Sequence, residues 1–244
     1  PDILGFNAGA GLAVVAAVWF GLAFPLPLTA AAGGLIAAVL IAVLSHRRGQ
    51  PGSTLTLVLV GLGLGFFASA LASFFALNLP VAEAAEAQRF VSGSLAARNW
   101  SHAAQVWGLG AVLIVLVALQ IPALKLLELG HDLATSLGLR VEPARWALLG
   151  TAVLLAAVGV AVAGPVAFVA LMAMPLGVGL TRAGTPAGRL ASAAGAGAAI
   201  MVLADLAARA LVPGIQFPVG VATGVLGAPY LLWRLSREME KGEL

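Results

Sequence analysis

Leu126-Leu-Glu-Leu-Gly-His-Asp-Leu-Ala-Thr-Ser-Leu-Gly-Leu139 is the stretch on which the reading of this chain turns. Leu126, Leu129, Leu133 and Leu137 recur at helical spacing, while Glu128, Asp132 and Thr135 take the other face. Gly138 can stop the helix and Pro143 starts the next element. A short amphipathic helix is therefore expected, set between two long apolar runs. Pattern alone supports two roles equally: a surface helix bridging two spans, or an apolar knob that enters a groove on a cytosolic partner.

The flanking runs decide the solvent. Charged residues make up 9% of the chain and its mean hydropathy is +1.05, which excludes a soluble core. No charged side chain occurs between Asp2 and His46, Arg48 and Glu83, Arg98 and Lys125, or Arg145 and Arg182. Each gap is long enough to cross a bilayer at about 20 helical residues. Backbone groups in hydrocarbon must be satisfied within the segment, and the weak apolar–polar alternation argues against a closed barrel. The fold class is all-α, a polytopic transmembrane bundle.

Spans are expected at residues 7–24, 27–45, 54–78, 101–121, 146–163, 166–181, 188–211 and 217–235, eight crossings in all. Gly164-Pro165 breaks the long run from Trp146 to Thr181 into two shorter helices, as Pro25 and Pro27 divide the first two. On alternate connections, Arg47, Arg48, Lys125, Arg140, Arg145, Arg182, Arg189, Arg234, Arg237 and Lys241 face one side. Arg89, Arg98 and Arg209 face the other. That bias places the 46–53, 122–145 and 182–187 loops and the C-terminus in the cytoplasm, with both ends of the chain inside. Residue 1 is proline and the first apolar run follows at once, which reads as a truncated or processed start.

Several function classes drop out. The chain has no cysteine, and His46, His102 and His131 form no zinc-type spacing, so metal catalysis is not expected. The net charge of +3 reflects the positive-inside rule and not nucleic-acid binding. Neither Lys125 nor Lys241 follows a glycine-rich phosphate loop, and the spans lack chains of buried carboxylates or histidines for proton coupling. Energy for any transport would come from another subunit, and no cofactor is expected.

Three further features stand out. Asp205 and Arg209 sit four residues apart near the outer end of an otherwise uncharged span, as a local ion pair or a functional charge. The outer loop from Leu79 to Trp100 is longer than a turn requires and can hold a short helix lying on the outer face. Small residues in Gly61-Leu-Gly63-Leu-Gly65, Gly108-Leu-Gly110 and Ala191-Ser-Ala-Ala-Gly195-Ala-Gly197 favour close approach of helix backbones.

Phe217-Pro-Val-Gly-Val-Ala-Thr-Gly-Val-Leu-Gly-Ala-Pro-Tyr-Leu-Leu-Trp233, Ala163-Gly-Pro-Val-Ala-Phe168 and Leu203-Ala-Asp-Leu-Ala-Ala-Arg209 resemble the permease subunits of ABC importers for ferric siderophores, haem and cobalamin. Pro1-Asp-Ile-Leu-Gly5 with Ala8-Gly-Ala10, Ser92-Gly-Ser-Leu95, and Leu127-Glu-Leu-Gly130 followed by Ala134-Thr-Ser-Leu-Gly138 match in the same order, so the resemblance spans the chain.

The resemblance implies one transmembrane permease domain over residues 1–244, equivalent to a ten-helix family member without its first helix and most of the next. It implies that Leu129, Gly130, Asp132, Leu133, Ala134, Leu137 and Gly138 form a coupling helix seated in a cleft of a cytosolic ABC ATPase dimer. Ser92, Gly93 and Ser94 would belong to the helix that narrows the periplasmic end of the pathway. Arg209 would meet an acidic residue of a periplasmic or lipid-anchored substrate-binding protein. The remaining partners implied are a second permease copy or paralogue and the lipid of the bacterial inner membrane. The implied role is ATP-driven import with no chemistry on this subunit, and the competing class is an ATP-independent carrier or channel. The chain departs from the family after Pro175, where Leu176 and Gly179 replace the usual His and Arg, and where an Asp-His-Arg run is reduced to Arg189. These departures imply altered contacts with the ATPase or a specialised half of a pair.

Overall fold

The computed structural model describes residues 5–22, 24–45, 54–95, 99–210 and 217–240. Over that range the chain is helical and contains no strand. The elements are α1 (Phe6–Trp19), α2 (Leu26–Ser45), α3 (Thr54–Leu77), α4 (Val81–Val91) and α5 (Trp100–Leu127). They continue with α6 (His131–Ser136), α7 (Val141–Ala163), α8 (Val169–Thr181), α9 (Pro186–Ala210) and α10 (Val219–Glu240). Five of these, α2, α3, α5, α7 and α9, are long and apolar enough to cross a membrane, and α1 and α8 are shorter apolar helices. The expected spans coincide with α1, α2, α3, α5, α7, α8, α9 and α10 to within a few residues at most ends.

Side-chain placement is that of a membrane protein. Large apolar residues such as Ile36, Phe66, Trp107 and Leu119 are exposed along the long helices, where lipid and not water is the compatible neighbour. The packed centre is built around α1: Phe6, Ala10, Val14 and Val15 meet Ala30 of α2, Ala87 of α4, and Ala157 and Val160 of α7. Small residues permit this. A Cβ on Gly33 would fall 2.6 Å from the carbonyl oxygen of Gly9, and one on Gly34 would strike the Phe6 ring. A second close crossing joins α8 to α9, where the carbonyl of Ser192 occupies the space a side chain at Gly177 would need. Thr181 Oγ1 and Ser192 Oγ share a hydrogen bond of 2.7 Å beside it.

Helix ends follow local chemistry. Asn99 Oδ1 accepts from the amides of Ser101 and His102 and opens α5, while His102 Nδ1 accepts from the Asn99 amide. Thr185 Oγ1 accepts from the Gly188 amide at the start of α9. Gly164, at φ +74, ends α7, and Pro165 behind it offers no N–H to continue the helix.

Two expectations are corrected. The 126–139 segment is not one amphipathic helix: α5 runs through Pro122 to Leu127, Gly130 turns at φ +97, and α6 covers six residues only. Proline inside α5 is tolerated because packing against α7 holds the helix, with Gln120 Nε2 donating to Thr151 Oγ1 at 2.8 Å near the break. Small residues serve close packing at Gly61 and Gly65, which lie against Gly5, whereas a Cβ added at Gly63, Gly108, Gly110 or Gly195 would meet no atom of another described helix within 4 Å. The first-motif residues Pro1–Leu4, the arginines 47, 48 and 98, and Lys241 lie outside the described residues.

Candidate functional site

At one end of the bundle, three separate segments close on one another. α4 ends at Ser92, whose amide and Oγ both bond to the Gln88 carbonyl, at 2.9 and 2.8 Å. Gly93 follows at φ +69 and is buried, and the Ser94 amide donates to the carbonyl of Ala163 at 2.8 Å. A Cβ on Gly93 would fall 2.7 Å from the Pro165 carbonyl, and one on Gly164 would fall 2.5 Å from the Phe90 carbonyl. The Ser92–Ser94 turn and the α7–α8 break are thus in backbone contact, which only glycine at both places allows.

α10 completes the junction. The Gly220 amide donates to the Gly93 carbonyl at 3.4 Å, and the Ser92 carbonyl occupies the position a side chain on Gly220 would take. Val219 and Thr223 are fully buried here. Phe168, held in the left-handed region at φ +67, lies against Gly227 one turn further along α10. Ser92, Gly93 and Ser94 therefore sit where α4, α7–α8 and α10 meet. The contributions of Gly220, Phe168 and Gly227 are not legible from spacing alone.

At the opposite end, α6 and its flanking turns present an apolar edge. Leu129, Leu133 and Leu137 are 53%, 58% and 60% exposed, while Ala134 is completely buried and seats α6 on the bundle. Gly130 at φ +97 and Gly138 at φ +86 make the turns on either side. Asp132 lies in the first turn of α6, and its carbonyl accepts from Ser136 Oγ at 2.8 Å. Glu128, just before this loop, forms an ion pair with Arg189 of α9 at 2.5 Å. Sequence reading singled out each residue of this pair for other reasons and did not join them, because they belong to α5 and α9, which are separated by three further helices.

Far from Arg189 on the same helix, Arg209 Nε donates to Asp205 at 2.8 Å, with the arginine 59% and the aspartate 22% exposed. The local pair and an outward-facing guanidinium coexist. Between α1 and α3 runs a shallow, mainly apolar groove lined by Gly5, Ala8, Gly61, Leu62, Gly65, Phe66 and Ser69. Among the described residues, no three His, Asp or Glu side chains are arranged to hold a metal ion.

The chain is 35% identical to the Fe(3+)-citrate import system permease protein YfmE of Bacillus subtilis, with 99% of this chain and 72% of that protein covered. It is 34% identical to the ferric enterobactin transport system permease protein FepG of Escherichia coli, over 99% of this chain and 72% of that protein. A solved chain described as a metal-chelate type ABC transporter in an inward-facing conformation superposes with a TM-score of 0.82 at 25% identity, covering 96% of this chain and 75% of its own. With the FecCD transport family model matching residues 1–237, this multi-pass membrane protein belongs to the FecCD transport family.

Proposed function

We propose that the chain is the permease subunit of a bacterial ABC importer that passes a ferric siderophore, or a related chelate such as haem or cobalamin, across the inner membrane. Residues 1–244 act as one transmembrane domain, and the two short apolar helices and α10 cross the bilayer with the five long ones, giving eight spans. A cytosolic ATPase dimer supplies the energy. A periplasmic or lipid-anchored binding protein delivers the substrate, and a second permease copy or paralogue completes the pathway.

The observation that carries this reading is the division of labour between the two ends of the bundle. One end offers an exposed leucine edge at Leu129, Leu133 and Leu137 on a short helix framed by Gly130 and Gly138 and seated by Ala134. A preformed apolar helix of this kind suits a groove on a partner. At the other end, Ser92–Ser94, the α7–α8 break and α10 form a tightly packed junction with Arg209 exposed on α9. Such a junction suits a gate, because glycine-backed contacts can part or close without moving bulky side chains. The subunit itself performs no hydrolysis. Membership of a permease family favours this mechanism over an ATP-independent carrier.

The test is to purify the native full-length protein in mild detergent and ask whether an ATPase subunit accompanies it in a one-to-one ratio. Loss of that subunit when Leu129–Leu139 is replaced by a flexible linker supports the reading. Solute accumulation in vesicles that contain no ATPase overturns it.

A further inference from the structure

α6 is seated by one buried residue, Ala134, and leans on the ends of α5 and α7 that flank it. A motion pressed onto its leucine edge reaches the rest of the bundle through those two helices, and one ion pair ties the α5–α6 junction directly to α9. Glu128, the C-cap residue of α5, meets Arg189 in the first turns of α9 at 2.5 Å. Both side chains are partly shielded, at 41% and 32% exposure, and Arg189 Nε is buried with no hydrogen-bond partner. The guanidinium is thus partly withdrawn from water, and Glu128 is the carboxylate in contact with it. An ion pair so placed adds little to stability, but it fixes geometry between two elements that are otherwise only in light contact.

α9 is built to receive that constraint. Its first turn is capped by Thr185 and its inner half is locked to α8 through Gly177, Ser192 and Thr181. It contains no proline after Pro186 and runs unbroken to Ala210, so Arg189 and Arg209 lie on one rod, on the order of 30 Å apart.

We propose that the Glu128–Arg189 pair is a clamp that makes the coupling loop and α9 move as one body, so that α9 transmits ATPase closure to the face bearing Asp205 and Arg209. Arg189 and Glu128 are positioning residues: they touch neither nucleotide nor substrate, and the clamp stays shut throughout the cycle. This inference rests on the importer reading, and its test separates the two.

The absence of native cysteine makes the chain suited to site-directed labelling. Spin labels at Val81→Cys on α4 and Leu206→Cys on α9, both highly exposed positions, report the distance between those helices in the permease–ATPase complex with and without ATP and vanadate. Arg189→Gln and Glu128→Gln are expected to leave the ATPase bound and hydrolysing ATP. Each should reduce the ATP-driven change in that distance several-fold, on the order of fivefold, and the charge exchange E128R/R189E should restore it. A merely structural pair would lower thermal stability without this selective loss.

In a second arm, with the spin labels carried on ketone-bearing residues at 81 and 206 so that thiol chemistry is reserved for the pair, E128C/R189C is bridged by a flexible bis-methanethiosulfonate, which is reversible with reductant. The bridge should restore the distance change that the two cysteines remove. Arrest of hydrolysis by the bridge, relieved by reductant, would show that the pair must open and would overturn the clamp. An unaltered distance change in Arg189→Gln overturns it as well. Failure of any ATPase to bind the wild-type chain would instead overturn the importer reading.

Discussion

The Ser94 amide donates to the carbonyl of Ala163 at 2.8 Å, joining the end of α4 directly to the last residue of α7. Gly93 and Gly164 flank that bond, both at positive φ and both backed by carbonyl oxygens of the other segment. Gly220 brings α10 onto the same spot. The junction is therefore a backbone-to-backbone assembly, and its tolerance to substitution follows from the space each glycine lacks.

Gly220→Val should be poorly tolerated, because its side chain would enter the position of the Ser92 carbonyl. Overpacking of this kind costs about 1–3 kcal/mol. Thermal unfolding in detergent, followed by loss of the monodisperse peak on size exclusion, should show a lower midpoint than wild type. Gly108→Val, in α5 with no neighbour within 4 Å, serves as the control and should melt like the parent. Equal midpoints for the two variants would refute the packed junction.

Leu133→Glu places a charge on an edge that is 58% exposed, so the fold should survive. The proposed groove on the ATPase would have to desolvate that charge. Binding-protein-stimulated ATP hydrolysis is expected to fall at least about tenfold, the consequence of some 1.4 kcal/mol lost from docking. Ala134→Leu should give the same loss by another route, since Ala134 is completely buried and a larger side chain would lift α6 from its seat. Unchanged stimulated hydrolysis in both variants would exclude α6 from coupling.

Arg209→Glu should scarcely affect stability, because an exposed i,i+4 pair contributes less than about 1 kcal/mol. It should weaken capture of the binding protein roughly tenfold, mainly through slower association, with the deficit shrinking as salt rises. Surface plasmon resonance against the reconstituted permease measures this. Affinity independent of both the substitution and the salt would remove Arg209 from the docking surface.

Asn99→Ala removes the acceptor for the Ser101 and His102 amides at the head of α5, while the backbone N–H at position 99 can still donate to His102 Nδ1. The expected cost is about 1 kcal/mol, within the range for N-cap removal. Asn99→Asp keeps the acceptor and should recover most of the loss. Differential scanning fluorimetry distinguishes the two.

The long charge-free runs and their lack of apolar–polar alternation determined by themselves that this chain is an all-helical membrane protein, because hydrocarbon leaves the backbone only helices or closed barrels. The break at Gly164-Pro165 was equally legible, since glycine readily takes a positive φ and the proline after it offers no N–H to continue the helix. The leucine edge of residues 129–137 could be read from its period, but its division by Gly130 into a turn and a six-residue helix could not. A glycine is compatible with helix and turn alike, and only the docking of Ala134 and the end of α5 selected the turn. The tertiary structure alone decided that Ser92, Ala163 and Gly220 share one junction and that Glu128 reaches Arg189. Such contacts depend on how helices cross, and crossing is set by the summed packing of many small residues and not by any local pattern.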